Sequence, residues 1–115
     1  MILGNVCTRS CAFCGVATGK PYKVDWSEPE KVAQSIKKME IKHAVLTSVD
    51  RDDLPDMGSI IWAETVEAVR RISPETTLET LIPDFQGIGK HLDRILDVKP
   101  DVISHNMETV RRMTR

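Results

Sequence analysis

The sequence lacks an excess of either charge. Sixteen lysines and arginines face 17 aspartates and glutamates over 115 residues, a formal net charge of −1 at pH 7. So balanced a chain has no basic surplus to grip a phosphate backbone and no acidic tail, which argues against nucleic acid as a partner. Long hydrophobic runs are missing too, so no membrane span is expected. Nor does the start read as a secretory signal, because Met1 to Asn5 is apolar but too short and carries no basic residue. A cytoplasmic location follows as the expectation. Linkers, low-complexity tracts and short-period repeats are absent, and the length suits one domain, residues 1–115. Cysteine is absent from every position after Cys14; all three lie between Cys7 and Cys14. An odd number in so short a span is a poor disulfide framework. In a reducing compartment, clustered thiols point instead to metal or redox chemistry.

What is present is an alternation of short apolar runs and amphipathic segments. Met1 to Val6 is a strand candidate that leads straight into the cysteines. Ser27 and Glu30 stand at capping-box spacing with Pro29 in the first turn, and Val32, Ile36 and Met39 then recur on one helical face. His43 to Thr47 is a second strand. A helix fits Ser59 to Ile72, with Trp62, Val66 and Val69 striped toward a core and Glu67 paired to Arg71 one turn on. Ser73-Pro74 ends it. Thr77 to Ile82 is a third strand, Ile88, Leu92 and Ile95 stripe a third helix, and Lys99-Pro100 closes that helix. Asp101 to Ser104 is a fourth strand, and Met107 to Arg115 reads as the first turns of a further helix.

Strands alternating with helices through connections this short predict an α/β fold with a parallel sheet and its helices on one face. About four parallel strands with three to four helices make half of a (β/α) barrel, so the abrupt ends at Met1 and Arg115 suggest a fragment. In such folds chemistry gathers at the carboxyl ends of the strands. There the sequence places Cys7, Cys11 and Cys14, then Ser48 to Asp53, then Pro83, Asp84 and Gln86, then His105 to Glu108. The opposite connections are mostly turn chemistry.

Cys7-Thr-Arg-Ser-Cys11-Ala-Phe-Cys14 is a C-x3-C-x2-C run. Three thiolates so spaced can wrap one side of a metal centre, and an iron–sulfur cube held by three leaves one iron open to another ligand. Other readings exist. The spacing would also align three small thiols on a helix, though Thr8, Arg9, Ser10 and Gly15 disfavour one. A zinc site would draw its fourth ligand from His43, His91 or His105. A redox C-x-x-C at Cys11 and Cys14 would leave Cys7 unexplained.

The cysteine run resembles the cluster-binding loop of radical S-adenosylmethionine enzymes. With Val16 to Pro21, Leu46 to Pro55, Leu81 to Phe85 and Lys99 to Asn106, it resembles the lipoyl synthase family over nearly the whole chain. That resemblance implies a partial radical SAM barrel with a [4Fe–4S] cluster on Cys7, Cys11 and Cys14. S-adenosylmethionine would chelate the open iron, and reductive cleavage would yield a 5′-deoxyadenosyl radical. The radical would abstract hydrogen from C6 and C8 of a protein-bound octanoyl group, where sulfur is inserted. The partners implied are octanoylated lipoyl-carrier domains and a reductant such as flavodoxin or ferredoxin. By the same resemblance Thr47 and Ser48 bind the methionine amino group, and Asn106 and Glu108 the ribose hydroxyls.

The family's auxiliary [4Fe–4S] cluster, source of the sulfur, uses three cysteines upstream of the segment matched here and a serine near the family's C-terminus. Neither region is in these 115 residues, so this polypeptide alone is not expected to complete sulfur insertion. Another radical SAM chemistry, a zinc-binding module and a non-catalytic fragment stand as alternatives. An open half barrel also predicts self-association. Among single residues, Phe13 would shield the cluster or pack, and Trp62 belongs to the core. His43 reads as surface or cap, and His105 has a claim through its position at the rim. Asp50 to Asp53 reads as a family feature or a solvated cluster. Arg111, Arg112 and Arg115 would touch an acidic carrier or simply end a helix in solvent.

Overall fold

A computed structural model describes residues 1–113. In chain order its elements are strands β1 (Val6–Cys7) and β2 (Ala17–Thr18), helix α1 (Glu28–Lys38), strand β3 (His43–Thr47), helix α2 (Ser59–Ile72), strand β4 (Thr77–Leu81), helix α3 (Gly89–Asp97) and strand β5 (Val102–Ser104). Single 3-10 turns cover Phe85–Gly87 and Arg111–Met113. Strands β3, β4 and β5 form one parallel sheet in that order, with Ala44 beside Leu78, Leu46 beside Thr80, and Thr80 beside Ile103. This is the α/β class expected, with the parallel strands and three helices of a partial barrel.

Strand alternation gives the sheet two unlike faces. Ala44, Leu46, Leu78 and Thr80 are buried on one side. On the other, Val45 is 52% exposed and Val102 is 42% exposed. Helix α2 packs against both α1 and α3. Its stripe of Trp62, Val66 and Val69 is fully buried, as the 3.6-residue period requires.

Several boundaries and faces depart from the sequence expectation. The first strand is not continuous from Met1 to Val6. Leu3 (φ 67°) and Gly4 (φ 91°) take left-handed conformations that break the extended run. Ile2 forms one parallel bridge with Ser48 along the edge of β3, donating its N–H to Thr47 O at 2.8 Å. After the break, β1 pairs in parallel with β2 as a separate two-stranded sheet.

Ser27 does not close a capping box, because its hydroxyl donates to Asp25 Oδ1 at 2.5 Å and makes no cap bond. Glu28 instead accepts the Leu3 N–H at 2.8 Å, tying α1 to the initial segment. The buried face of α1 is Pro29, Ala33 and Ile36, so of the predicted stripe Ile36 alone is buried. Val32 lies at its margin, and Met39 has left the helix as its exposed C-cap. Arg71 reaches across to Glu30 of α1 at 2.5 Å instead of pairing with Glu67. On α3 the buried residues are His91 and Ile95, leaving Ile88 and Leu92 partly exposed, since α2 covers only a narrow strip of this helix. Beyond β5, the helix expected from Met107 is only the turn Arg111–Met113, with no buried residue to hold more. Arg115, grouped above with Arg111 and Arg112, lies outside the described residues.

Candidate functional site

Strand β1 ends on Cys7, so the sheet delivers the chain directly into the cysteine loop. Pairing with β2 closes the loop's base: Gly19 N–H donates to Cys7 O at 3.0 Å and Thr18 Oγ1 to Arg9 O at 3.1 Å. Farther out, Cys14 N–H donates to Cys11 O at 3.0 Å in a tight turn. No helix forms across the run, and Cys11 and Cys14 are exposed, which removes the buried-core reading. All three thiols are free. Cys7 is half-buried, and its sulfur accepts the N–H groups of Asp50 at 3.3 Å and Arg9 at 3.4 Å. Phe13 is 69% exposed and is no part of the core.

The loop is seated on the strand ends by polar contacts. Thr8 N–H and Oγ1 both donate to Asp50 O, and Oγ1 accepts the Asp52 N–H at 3.2 Å. Arg9 donates from Nε and Nη2 to Asp52 at 2.7 and 2.9 Å, and from Nη1 and Nη2 to Asp84 at 2.8 Å each. Asp50 stands 3.6 Å from Nη1. The residues after β1, β3 and β4 therefore meet at one rim. His105 brings the segment after β5 to it, its Nδ1 lying 2.8 Å from Ile82 O.

These contacts set the electrostatics. Arg9, hydrogen-bonded to Asp52 and Asp84, is held firmly charged. It pulls Asp84 down to about 2 and lowers Asp52. Burial pushes Asp50 up despite Arg9. Lost hydration, then the Asp50 carboxylate and the neighbouring sulfurs, push the Cys11 thiol up, while Arg9 opposes the rise.

Thr47 ends β3 at this rim, Ser48 follows it, and both are half-buried. The Ser48 hydroxyl accepts the indole N–H of Trp62 at 3.2 Å. Asn106 and Glu108 follow β5 and are exposed, Glu108 with φ at 61°. Among the described residues no hydrogen bond ties either one to the cysteine loop. His43 begins β3, at the end of the strand away from the rim, 3.5 Å from Glu79. His91 is buried beside Ser59 and Phe85. Neither is placed as a fourth ligand to the cysteines. Asp50 to Asp53 is no solvated cluster, because Arg51 within it is 3% exposed. Sequence reasoning passed over Arg9. Its signal was a single arginine inside the cysteine run, with acidic residues waiting at two other strand ends.

Three free thiols on one loop are the soft donors an iron–sulfur cluster takes. Two N–H groups orient the Cys7 sulfur, and its thiol also faces the Asp50 carboxylate at 3.8 Å. Among the described residues, no three His, Cys, Asp or Glu side chains are gathered closely enough to hold a metal ion. The donor set thus fits such a cluster in kind, on a loop that does not yet converge it.

A sequence profile described as the Radical SAM superfamily matches residues 1–115. A lipoyl synthase of Christiangramia forsetii is 76% identical over all of this chain, which covers 39% of that relative. A mitochondrial lipoyl synthase of Nematostella vectensis is also 76% identical, with 40% of its length covered. One from Karelsulcia muelleri is 63% identical over the same extent, again with 40% covered. The chain thus spans about two fifths of the length of these curated relatives.

Proposed function

We propose a function from one established fact: this chain belongs to the radical SAM superfamily. Residues 1–115 are the cluster-bearing core segment of a lipoyl synthase, a sulfurtransferase acting on octanoylated lipoyl-carrier domains with a flavodoxin- or ferredoxin-like reductant. The observation that carries this reading is the loop after β1, where three free thiols stand on a seat of hydrogen bonds from the ends of β3 and β4.

Cys7, Cys11 and Cys14 would hold a [4Fe–4S] cluster, three protein ligands leaving it open to S-adenosylmethionine. When bound, that cluster supplies the electron for reductive cleavage of S-adenosylmethionine. The protein's own residues bind and orient. Ser48, its oxygen already held by Trp62, keeps a second lone pair for the methionine amino group beside Thr47. Asn106 and Glu108, exposed beyond β5, reach for the ribose hydroxyls. The N–H groups of Asp50 and Arg9 orient the Cys7 sulfur.

Anaerobic reconstitution with iron and sulfide, then dithionite and S-adenosylmethionine, tests the reading. The expected result is a full [4Fe–4S] complement and 5′-deoxyadenosine that disappears in Cys11→Ala. A chain that takes up zinc and refuses iron overturns it.

A further inference from the structure

We propose that Arg9 is a positioning residue: its guanidinium clasps the cysteine loop onto the ends of β3 and β4 and thereby sets where Cys7 stands. The inference rests on the cluster reading only for its purpose, because the clasp itself is a property of the metal-free chain.

Arg9 lies between Cys7 and Cys11, and four of its five N–H donors are spent on two carboxylates. The edge formed by Nε and Nη2 takes Asp52 at 2.7 and 2.9 Å, while the edge formed by Nη1 and Nη2 takes Asp84 at 2.8 Å twice. Two bidentate forks on one planar group fix its position and its tilt together. The anchors are themselves held. Asp84 accepts the Gln86 N–H at 2.9 Å, capping the turn that buries Phe85 in the core. Asp52 is held by its own N–H, which donates to Thr8 Oγ1 at 3.2 Å. A rigid path therefore runs from Phe85 through Asp84 and Arg9 into the loop.

The loop needs such a seat. It has no helix, and Cys11 and Cys14 beyond Arg9 are exposed. The Arg9 backbone N–H is also one of the two donors on the Cys7 sulfur, so displacing Arg9 disturbs that thiol directly. A lysine keeps the charge but cannot form either fork.

The test uses the reduced, metal-free 115-residue chain with Arg9→Lys, Arg9→Gln and Asp84→Asn. Alkylation by iodoacetamide is followed thiol by thiol with mass spectrometry. The expected result is a rise of about tenfold at Cys7 in both Arg9 variants, because the half-buried thiol gains access when the loop leaves its seat, the scale set by one charge-assisted hydrogen bond lost from the clasp. Cys11 and Cys14 change less than about twofold, being exposed already. Asp84→Asn gives a smaller rise that adds nothing on top of Arg9→Gln. An Arg9→Lys chain that alkylates like the parent overturns the fork, since charge alone then suffices. Unchanged or lowered Cys7 reactivity in all three variants overturns the clasp. Reconstituted chains supply a second readout: the expected Arg9→Lys cluster shows a broadened electron paramagnetic resonance signal against the parent. Failure of the parent itself to bind iron overturns the cluster reading, while the alkylation rates still decide the clasp.

Discussion

Arg51 spends four of its five N–H donors although almost no solvent reaches it. It donates from Nε and Nη2 to Asp53, from Nη1 to Leu3 O at 3.3 Å and from Nη2 to Tyr22 O at 3.0 Å. One buried cation thus joins the initial segment, the approach to α1 and the residues after β3, its burial offset by hydrogen bonds at every edge. His91 is the opposite case. Its Nδ1 meets Ser59 Oγ at 3.1 Å, and its Nε2 is buried without a partner among the described residues. Burial first, then Lys90 and Arg94, hold its pKa below the ordinary value of 6.5, against a weaker pull from Asp56. The unfolded chain therefore binds this proton more readily than the folded one. The stabilisation is complete above pH 6.5 and is lost progressively as pH falls below that value toward the depressed folded pKa. Thermal unfolding should show a midpoint that drops as pH falls below 6.5, and His91→Gln should flatten that slope. An equal slope in the variant would remove His91 as its source.

At the scale of elements, α2 organises the rest. Its centre is Trp62, buried and tied to Ser48 at the end of β3, so helix and strand end are set against each other by one indole. The helix begins at Gly58, which takes φ of 81° as N-cap, while Asp56 accepts the Ile60 N–H at 2.9 Å. A Cβ at Gly58 would stand 2.4 Å from Leu3 Cδ1. Gly58→Ala should cost about 1–2 kcal/mol from the left-handed backbone alone, plus the displacement of Leu3. Gly4→Ala, with φ of 91° and open space around it, carries the backbone cost only. Urea unfolding of the two variants reads the difference. Equal midpoints would show that Leu3 yields freely.

For the molecule as a whole, the parallel sheet presents one face to the helices and leaves Val45 and Val102 on the other. β5 ends the sheet order, and Ile2 covers β3 by one bridge only. An open face that carries Val45 and Val102 on either side of Glu79, beside a strand edge, invites pairing with another copy. Sedimentation velocity should show concentration-dependent self-association that Val45→Lys weakens. A sharp monomer across the micromolar range would refute it.

How much of this could be read in advance depended on the range of the interactions. The α2 stripe was legible because Trp62, Val66 and Val69 lie within two turns and the helix is covered along its length. The stripes of α1 and α3 were misplaced because short helices carry apolar residues at the margin of a narrow contact. Val32 and Leu92 were drawn into faces that Ala33 and His91 occupy. Capping at Ser27 failed for a local reason, Asp25 offering a better acceptor.

The chain's chemistry was determined by its sequence: three thiols at fixed spacing after a strand, and the βα alternation that sends strand ends to one rim. These are properties of neighbours along the chain. Which side chains meet at the rim was decided only in three dimensions. Arg9 finds Asp52 and Asp84 across separations of 43 and 75 residues. No local pattern encodes that meeting. Parallel strands in register bring their carboxyl ends together, and the arginine placed among the thiols is long enough, and forked, to hold two of them at once.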